Sequence, residues 1–366
     1  MQISFGERAE MINELVIHLG DTKTGSTSIQ KALVRGQVKT PGISILYPTR
    51  SNHIALAKTL TLRRRLGQRE ARFGRLHEAF VQSDADYGIV SAEHFQMVDP
   101  LVLQQAIGEY WPDLQDQLRL ISYVRPHAGK FLSAFSERIK LGADLDSLEQ
   151  LFDIMTQSGV LDYTPRFQAW RDTFGDRFTL RAFIRDRMYN SDVVQDFFHT
   201  VLNSERFEIA DAAPANPSLT VSQLALLRRV QTWAVAMAKG PKGPLFRDAQ
   251  GVFGRILADH LVQSGIGTDG AKLRMPASLA TRFQERFAAD AEALDVAFFE
   301  GFPFSDALEQ SAAVVTAAPQ SLRAEDHFDA RMIEEVLVFA RPLAERMAGN
   351  PGDFRKTAVL GGAVTR

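Results

Sequence analysis

Five short apolar runs, which alternate with segments of helical spacing, constrain the fold of the first half of this 366-residue chain. The runs are rich in branched and aromatic residues, which is typical of buried strands. They occupy residues 15–19, 43–47, 87–90, 118–124 and 178–183. The helical segments occupy residues 24–38, 51–66, 69–82, 100–110 and 128–141. Because strands that alternate with helices form parallel sheets covered on both faces, the sequence predicts an α/β fold with a central parallel sheet flanked by helices.

The second half of the chain has a different pattern, which is almost wholly helical from about residue 190 onward. Two segments rich in alanine and proline, residues 210–217 and 311–320, interrupt it because proline does not continue a helix. We therefore expect a mostly helical C-terminal half. The predicted parts are an α/β core at residues 1–205, a helical part packing on that core at 206–310, and a linker, final helix and loose tail at 311–366.

Composition excludes several classes of function. Lysine and arginine total 42 against 44 aspartates and glutamates, a formal charge of −2 that argues against a generally basic nucleic-acid-binding protein. Cysteine is absent, which excludes disulfides, thiolate metal sites and cysteine nucleophiles. No stretch approaches the roughly 20 apolar residues that span a bilayer, and residues 1–14 do not have the pattern of a signal peptide. We expect a soluble cytoplasmic protein without a transmembrane segment.

The segment between the first predicted strand and the first predicted helix has the chemistry of an anion site. It reads HLGDTKTGSTSIQ over residues 18–30. Gly20 and Gly25 permit a tight turn in which backbone N–H groups approach an anion, and Ser26 opens the helix at its positive dipole end. Lys23 adds a positive charge within the turn. The sequence therefore predicts that this loop binds a phosphate-like group.

This loop differs from that of nucleotide-hydrolysing P-loop proteins. There a Gly-Lys pair is followed by a serine or threonine whose hydroxyl binds magnesium. Here Gly25 is followed directly by Ser26, and Lys23 lies two residues before the glycine. The strand at residues 87–90 leads into Ser-Ala-Glu and not into a magnesium-binding aspartate. The loop is therefore expected to bind its anion without a metal ion.

The same segment resembles the 5′-phosphosulfate loop of sulfotransferases that use 3′-phosphoadenosine 5′-phosphosulfate (PAPS), most closely the bacterial carbohydrate-type branch, with its Lys-Thr-Gly-Thr-Thr-Ser core. Asp21 and Thr22 depart from that branch, which commonly has an apolar residue followed by histidine or proline. The resemblance covers about residues 14–200 and implies a P-loop-NTPase-like sheet, with 3′-phosphoadenosine 5′-phosphate (PAP) as the spent cofactor and no metal. The loop residues that it implies for cofactor binding are Lys23, Thr24, Gly25, Ser26, Thr27 and Ser28.

Two further residues match the family at a distance from the loop. Arg125 follows the predicted strand at residues 118–124, and Ser133 lies eight residues later on the next helix. Sulfotransferases have an arginine and a serine in this order and spacing, and both contact the cofactor's 3′-phosphate. Arginine offers a planar fork of donors to a phosphate, and serine a short hydroxyl. The resemblance therefore implies that Arg125 and Ser133 bind the 3′-phosphate.

The catalytic base, which takes the proton of the hydroxyl that receives the sulfuryl group, is expected at the end of the strand at residues 87–90. In relatives that act on small molecules, a histidine occupies the third position after the last apolar strand residue, and Glu93 falls there in this chain. Several relatives that act on carbohydrates use a glutamate base elsewhere in the site. His94 is the alternative base, because its imidazole titrates near neutral pH. His53 follows an asparagine as in bacterial relatives, which implies a contact with the acceptor.

Together these features predict a PAPS-dependent sulfotransferase. Glu93 would take the proton of an acceptor hydroxyl during in-line transfer, and Lys23 would stabilise the charge on the leaving phosphate. The expected acceptor is a carbohydrate or a sugar-containing metabolite. The alternatives are a P-loop kinase or other nucleotide-binding protein, and a non-catalytic module that binds PAP or a glycan.

Overall fold

The computed structural model describes residues 11–143, 145–210, 218–240 and 242–364, with side chains described up to residue 358. The chain divides into two compact units. The first contains the described residues within Met1–Pro126, Asp162–Ala213 and Ala289–Ser305. The second contains those within His127–Leu161, Pro214–Ala288 and Asp306–Arg366. Among the described residues, no helix has both the length and the apolar content needed to cross a membrane.

The strands all belong to the first unit and form two sheets. They are β1 (Glu14–His18), β2 (Val38–Lys39), β3 (Ile45–Leu46), β4 (Tyr87–Ser91), β5 (Leu118–Val124), β6 (Phe178–Ala182) and β7 (Glu208–Ile209). The larger sheet has the order β3-β4-β1-β5-β6, and all of its neighbouring strands are parallel. Strands β2 and β7 pair antiparallel in a small second sheet. The predicted α/β fold with a central parallel sheet is therefore confirmed.

Helices make up most of the remaining described chain. They are α1 (Ser26–Val34), α2 (Ile54–Thr61), α3 (Arg69–Val81), α4 (Pro100–Tyr110), α5 (His127–Lys140), α6 (Leu148–Gln157), α7 (Tyr163–Phe174), α8 (Val193–Leu202), α9 (Val221–Met237), α10 (Pro244–Gln263), α11 (Ala277–Phe298), α12 (Pro303–Ala313), α13 (Ala330–Gly349) and α14 (Pro351–Val364). The helical character expected of the second half is therefore confirmed. Short 3₁₀ turns add to these, and the turn at Glu93–Met97 follows β4.

The core of the first unit lies between the sheet and the helices that cover it. Val16, Ile89 and Ile121 come from three neighbouring strands and are fully buried. They pack with Phe197 and Phe198 of α8, which are also fully buried. Continuous apolar runs such as that of β1 are expected when a parallel sheet is covered on both faces. This packing fixes the ends of the strands, where the polar residues of interest lie.

The strand order places a topological switch point at β1. From β1 the chain builds β3 and β4 on one side of it, and then crosses to build β5 and β6 on the other side. In open parallel sheets, ligands bind outside the carboxyl ends of the strands at such a point. The segments that follow β1, β4 and β5 are therefore the ones whose side chains matter most for function.

Candidate active site

The loop that follows β1 runs from residue 19 to residue 25 and contains three left-handed residues. Their φ angles are +61° at Gly20, +68° at Lys23 and +78° at Gly25. Only glycine adopts this conformation without strain, so the left-handed Lys23 stands out. Strained backbone of this kind is held in place by the surrounding structure and clusters at ligand sites.

Hydroxyl groups inside the loop hold its backbone together. Thr24 Oγ1 donates to the Asp21 carbonyl oxygen at 2.8 Å, and Ser26 Oγ donates to the same oxygen at 3.2 Å. Both side chains are buried, whereas Thr27 and Ser28 are exposed. The helix α1 begins at Ser26 as predicted, and its N-cap Gly25 provides no side-chain acceptor. The Ser28 N–H donates to the Gly25 carbonyl oxygen at 2.8 Å, so the N–H groups of Ser26 and Thr27 are the ones in this turn that are suited to an external anion.

Asp21 is the residue of the loop that least fits an anion site, and the fold neutralises it. Its side chain is 1% exposed. One oxygen, Oδ1, accepts from the Thr22 N–H at 2.7 Å, and the other, Oδ2, accepts from Arg166 Nη2 at 3.1 Å. The Arg166 guanidinium also lies over the rings of Phe167 and Tyr163 on α7, at 4.5 and 5.3 Å from their centroids. A buried carboxylate with a charged partner is far less costly than one alone.

The structure brings the predicted base next to this loop. A Cβ atom added to Gly20 would lie 2.7 Å from the Cα atom of Glu93 and 3.2 Å from the carbonyl oxygen of Ala92. Only glycine permits so close an approach. The Thr22 N–H also points to Gln96 Oε1, at 3.4 Å, in the turn that Glu93 begins. Glu93 is half-buried at this junction.

Arg125 lies against the same loop from the other side of β1. It follows the last residue of β5, and its Nη1 donates to the Lys23 carbonyl oxygen at 3.3 Å. Its guanidinium lies 5.8 Å from the centroid of the Phe183 ring, and burial lowers the pKa of this group. Phe183 and Val193 also pack against Gly25, where an added Cβ would lie 2.6 Å from Val193 Cγ1. The loop, Glu93 and Arg125 thus meet at one edge of the sheet.

Ser133 and His94 are two other residues that the sequence predicts for this site. Ser133 is half-buried on α5, in the second unit, so its pairing with Arg125 stays a prediction. His94 is half-buried, and its Nε2 lies 2.7 Å from Thr61 Oγ1. Burial, together with the charge of Lys58, lowers the pKa of His94. Its imidazole is therefore neutral at neutral pH, and the contact with Thr61 holds the ring in place.

His53 belongs to a buried polar network beneath the loop. Its Nδ1 accepts from the Ser91 N–H at 3.1 Å, so the neutral ring carries its proton on Nε2. The Ser91 hydroxyl lies 2.8 Å from His18 Nδ1 and accepts from Gln30 Nε2 at 3.1 Å. Burial lowers the pKa of His53 to about 4 and that of His18 to about 3. Within the described chain, neither Nε2 atom has a hydrogen-bond partner.

We expect these two histidines to make the fold sensitive to acid. Their folded pKa values lie below the ordinary 6.5, so between pH 6.5 and 4 the unfolded chain binds more protons. The free energy of unfolding then falls as the pH falls, by up to about 1.4 kcal/mol per pH unit for each histidine. Urea denaturation at pH 7.5 and 5.0 measures this. The His53→Gln variant should show a shallower decrease, and an unchanged decrease would contradict the assignment.

Several residues of this site carry no local signal in the sequence. Arg166 lies 145 positions from Asp21, and Gln96 lies 74 positions from Thr22. Comparison of the chain with protein-family models, with curated proteins and with solved structures gives no match. The site itself combines a loop suited to an anion, an arginine beside it and a glutamate whose backbone lies against the loop.

Proposed function

We propose that this protein is a PAPS-dependent sulfotransferase with a P-loop-like cofactor site. One observation carries the proposal. The loop after β1, Glu93 after β4 and Arg125 after β5 meet at the carboxyl edge of a parallel sheet, at its switch point. Such an arrangement suits a sulfuryl donor with two separate anionic ends and an acceptor hydroxyl whose proton a base must remove.

The hydrogen-bond donors and positive charges of the site would pair with the two charged ends of PAPS. Backbone turns with left-handed residues, such as Lys23 and Gly25, gather N–H groups into anion-binding concavities. Together with the N-terminus of α1 and the Lys23 ammonium group, they would hold the 5′-phosphosulfate. The Arg125 guanidinium would hold the 3′-phosphate as a charge-assisted pair. Asp21 does not oppose this, because Arg166 neutralises its charge inside the unit.

In the proposed mechanism, bound PAPS supplies an activated sulfuryl group. Glu93 would accept the proton of the acceptor hydroxyl on a carboxylate oxygen while that hydroxyl oxygen forms its bond to sulfur. Lys23 and the first N–H groups of α1 would neutralise the negative charge that develops on the leaving 5′-phosphate as its bond to sulfur breaks. These groups take the role that a magnesium ion has in kinases, so the reaction needs no metal.

Glu93 is a better base than His94 in this arrangement. The backbone of Glu93 lies directly against Gly20 of the loop, whereas His94 Nε2 contacts Thr61 of α2. The proposed acceptor is a carbohydrate or a sugar-containing metabolite, as the resemblance to the bacterial branch implies. His53 would contribute to the acceptor side from the N-cap of α2, where its ring lies next to the Tyr47 ring, at 5.1 Å between centroids.

Calorimetric titration of the native protein with PAP in a buffer with EDTA tests the proposal. We expect saturable binding of PAP without metal and much weaker binding of ATP with magnesium. Tighter binding of ATP with magnesium would instead indicate a P-loop kinase. Binding of PAP with no sulfate transfer to a broad panel of saccharides would indicate a module that binds without catalysis.

A further inference from the structure

The second unit contains a cavity that has no part in the proposed transfer site. Its volume is about 960 Å³, and it lies between the residues after α5 and the helices α10 and α14. All of its lining residues belong to the second unit. Cavities of a few hundred to about 1,000 Å³ are the size that small-molecule ligands occupy.

The charged side chains that line this cavity are mostly cationic. They are Arg247, Arg255, Arg355, Lys356 and Asp248. Four positive charges and one negative charge give a local charge of +3, in a chain whose formal net charge is −2. Glu137, outside the lining, pairs with Arg255 at 3.4 Å and reduces this excess to +2. A cavity with this excess of positive charge favours an anionic ligand.

Two of the cations are available for a ligand. Arg355 pairs with Asp248 at 3.1 Å, and Arg255 is paired with Glu137 as above. Arg247 Nη1 donates to the backbone oxygen of Lys242, at 3.2 Å. Among the residues whose side chains the structure describes, Arg247 and Lys356 have no ion-pair partner. Their charges are therefore the ones that an anion would neutralise.

Apart from Gln250, the rest of the lining is apolar, and close packing holds it in place. Leu141 and Val252 contribute aliphatic surface, and Leu141 is 37% exposed. A Cβ atom on Gly251 would lie 3.0 Å from Leu141 Cδ2, so this glycine allows the two segments to approach. Gln250 Nε2 donates to the Gly142 carbonyl oxygen at 3.2 Å and fixes the turn after α5. An apolar wall beside unpaired cations suits an amphipathic anion.

We propose that this cavity binds a small organic anion with an apolar body. Its carboxylate, sulfate or phosphate group would pair with Arg247 and Lys356, and its apolar body would lie against Leu141 and Val252. The site is separate from the loop, Glu93 and Arg125, and it does not depend on the proposed transfer activity.

Three matched probes separate the contributions of charge and apolar surface. Calorimetry below the micelle concentration with octyl sulfate, octan-1-ol and inorganic sulfate should show saturable one-to-one binding of octyl sulfate alone. Arg247→Gln should weaken that binding by about tenfold, the effect of losing one charged hydrogen-bonding partner. Arg331→Gln is the control, because this arginine of the same unit is exposed and lies outside the lining. It should change the affinity by less than about twofold.

A second variant tests the apolar part of the proposal and keeps every charge. Ala143→Trp fills the cavity from its exposed rim and should abolish octyl sulfate binding, while PAP binding stays at the native level. Equal binding of octyl sulfate to the native, Arg247→Gln and Ala143→Trp proteins would overturn the proposal. It would also be overturned if anionic phospholipid vesicles bound in an Arg247-dependent manner and free octyl sulfate did not, because the site would then recognise a membrane surface.

Discussion

The Glu93→Gln variant should transfer sulfate about 10²- to 10⁴-fold more slowly than the native protein, the usual contribution of a general base. Glutamine has the size of glutamate, but its amide does not accept the proton of the acceptor hydroxyl. The residue is half-buried in a 3₁₀ turn and no side-chain cap depends on it, so the fold should be unaffected. The rate of PAP release from PAPS with a responsive saccharide acceptor measures the effect.

The matched control for this experiment is His94→Gln at the next position. This change removes a contact with Thr61 and should reduce turnover by much less than Glu93→Gln does. Both variants should bind PAP within about twofold of the native affinity, since neither residue is proposed to hold the cofactor. Native turnover in Glu93→Gln, or a greater loss in His94→Gln, would assign the base elsewhere.

The Arg166→Ala variant should have the largest effect on stability. It removes the guanidinium that pairs with the carboxylate of Asp21, which is 1% exposed. Removing one partner of a buried ion pair costs about 3–5 kcal/mol. The loop should also lose its affinity for PAP, because a negative charge then lies beside the proposed anion site. Urea denaturation gives the free energy of unfolding, and calorimetry gives the affinity.

A second substitution separates the charge from the packing of Arg166. In the double variant Asp21→Asn with Arg166→Ala, both charges of this pair are absent, and the asparagine oxygen is still able to accept from the Thr22 N–H. We expect the double variant to recover at least half of the stability that Arg166→Ala loses. A double variant no more stable than Arg166→Ala would show that the ring contacts of Arg166, not its charge, stabilise the fold.

The parts of the fold that depend on local pattern could be predicted from the sequence. The strands β1, β4 and β5 lie where their apolar runs indicate, and α1 begins at Ser26. The predicted helix at residues 51–66 was wrong at its end. Leu62 adopts an extended conformation, α2 ends at Thr61 and a 3₁₀ turn follows. No proline or glycine marks this break, so spacing alone does not reveal it.

The candidate site could be predicted only in part, because its side chains come together through the tertiary fold. The loop and Arg125 are recognisable from their positions after strands, and the structure brings them into contact. The inward orientation of the Thr24 and Ser26 hydroxyls depends on the shape of the loop, so their residue types do not predict it. Arg166 belongs to a helix far along the chain, and only the fold shows that it neutralises Asp21.

We propose that one site holds both charged ends of the cofactor, and a comparison of PAP with adenosine 5′-phosphate tests this. The two ligands differ only in the 3′-phosphate. Calorimetry should show that Arg125→Ala weakens PAP binding by about 10- to 100-fold and leaves the affinity for adenosine 5′-phosphate within about twofold. An equal effect of Arg125→Ala on both ligands, or no effect on either, would show that Arg125 does not bind the 3′-phosphate.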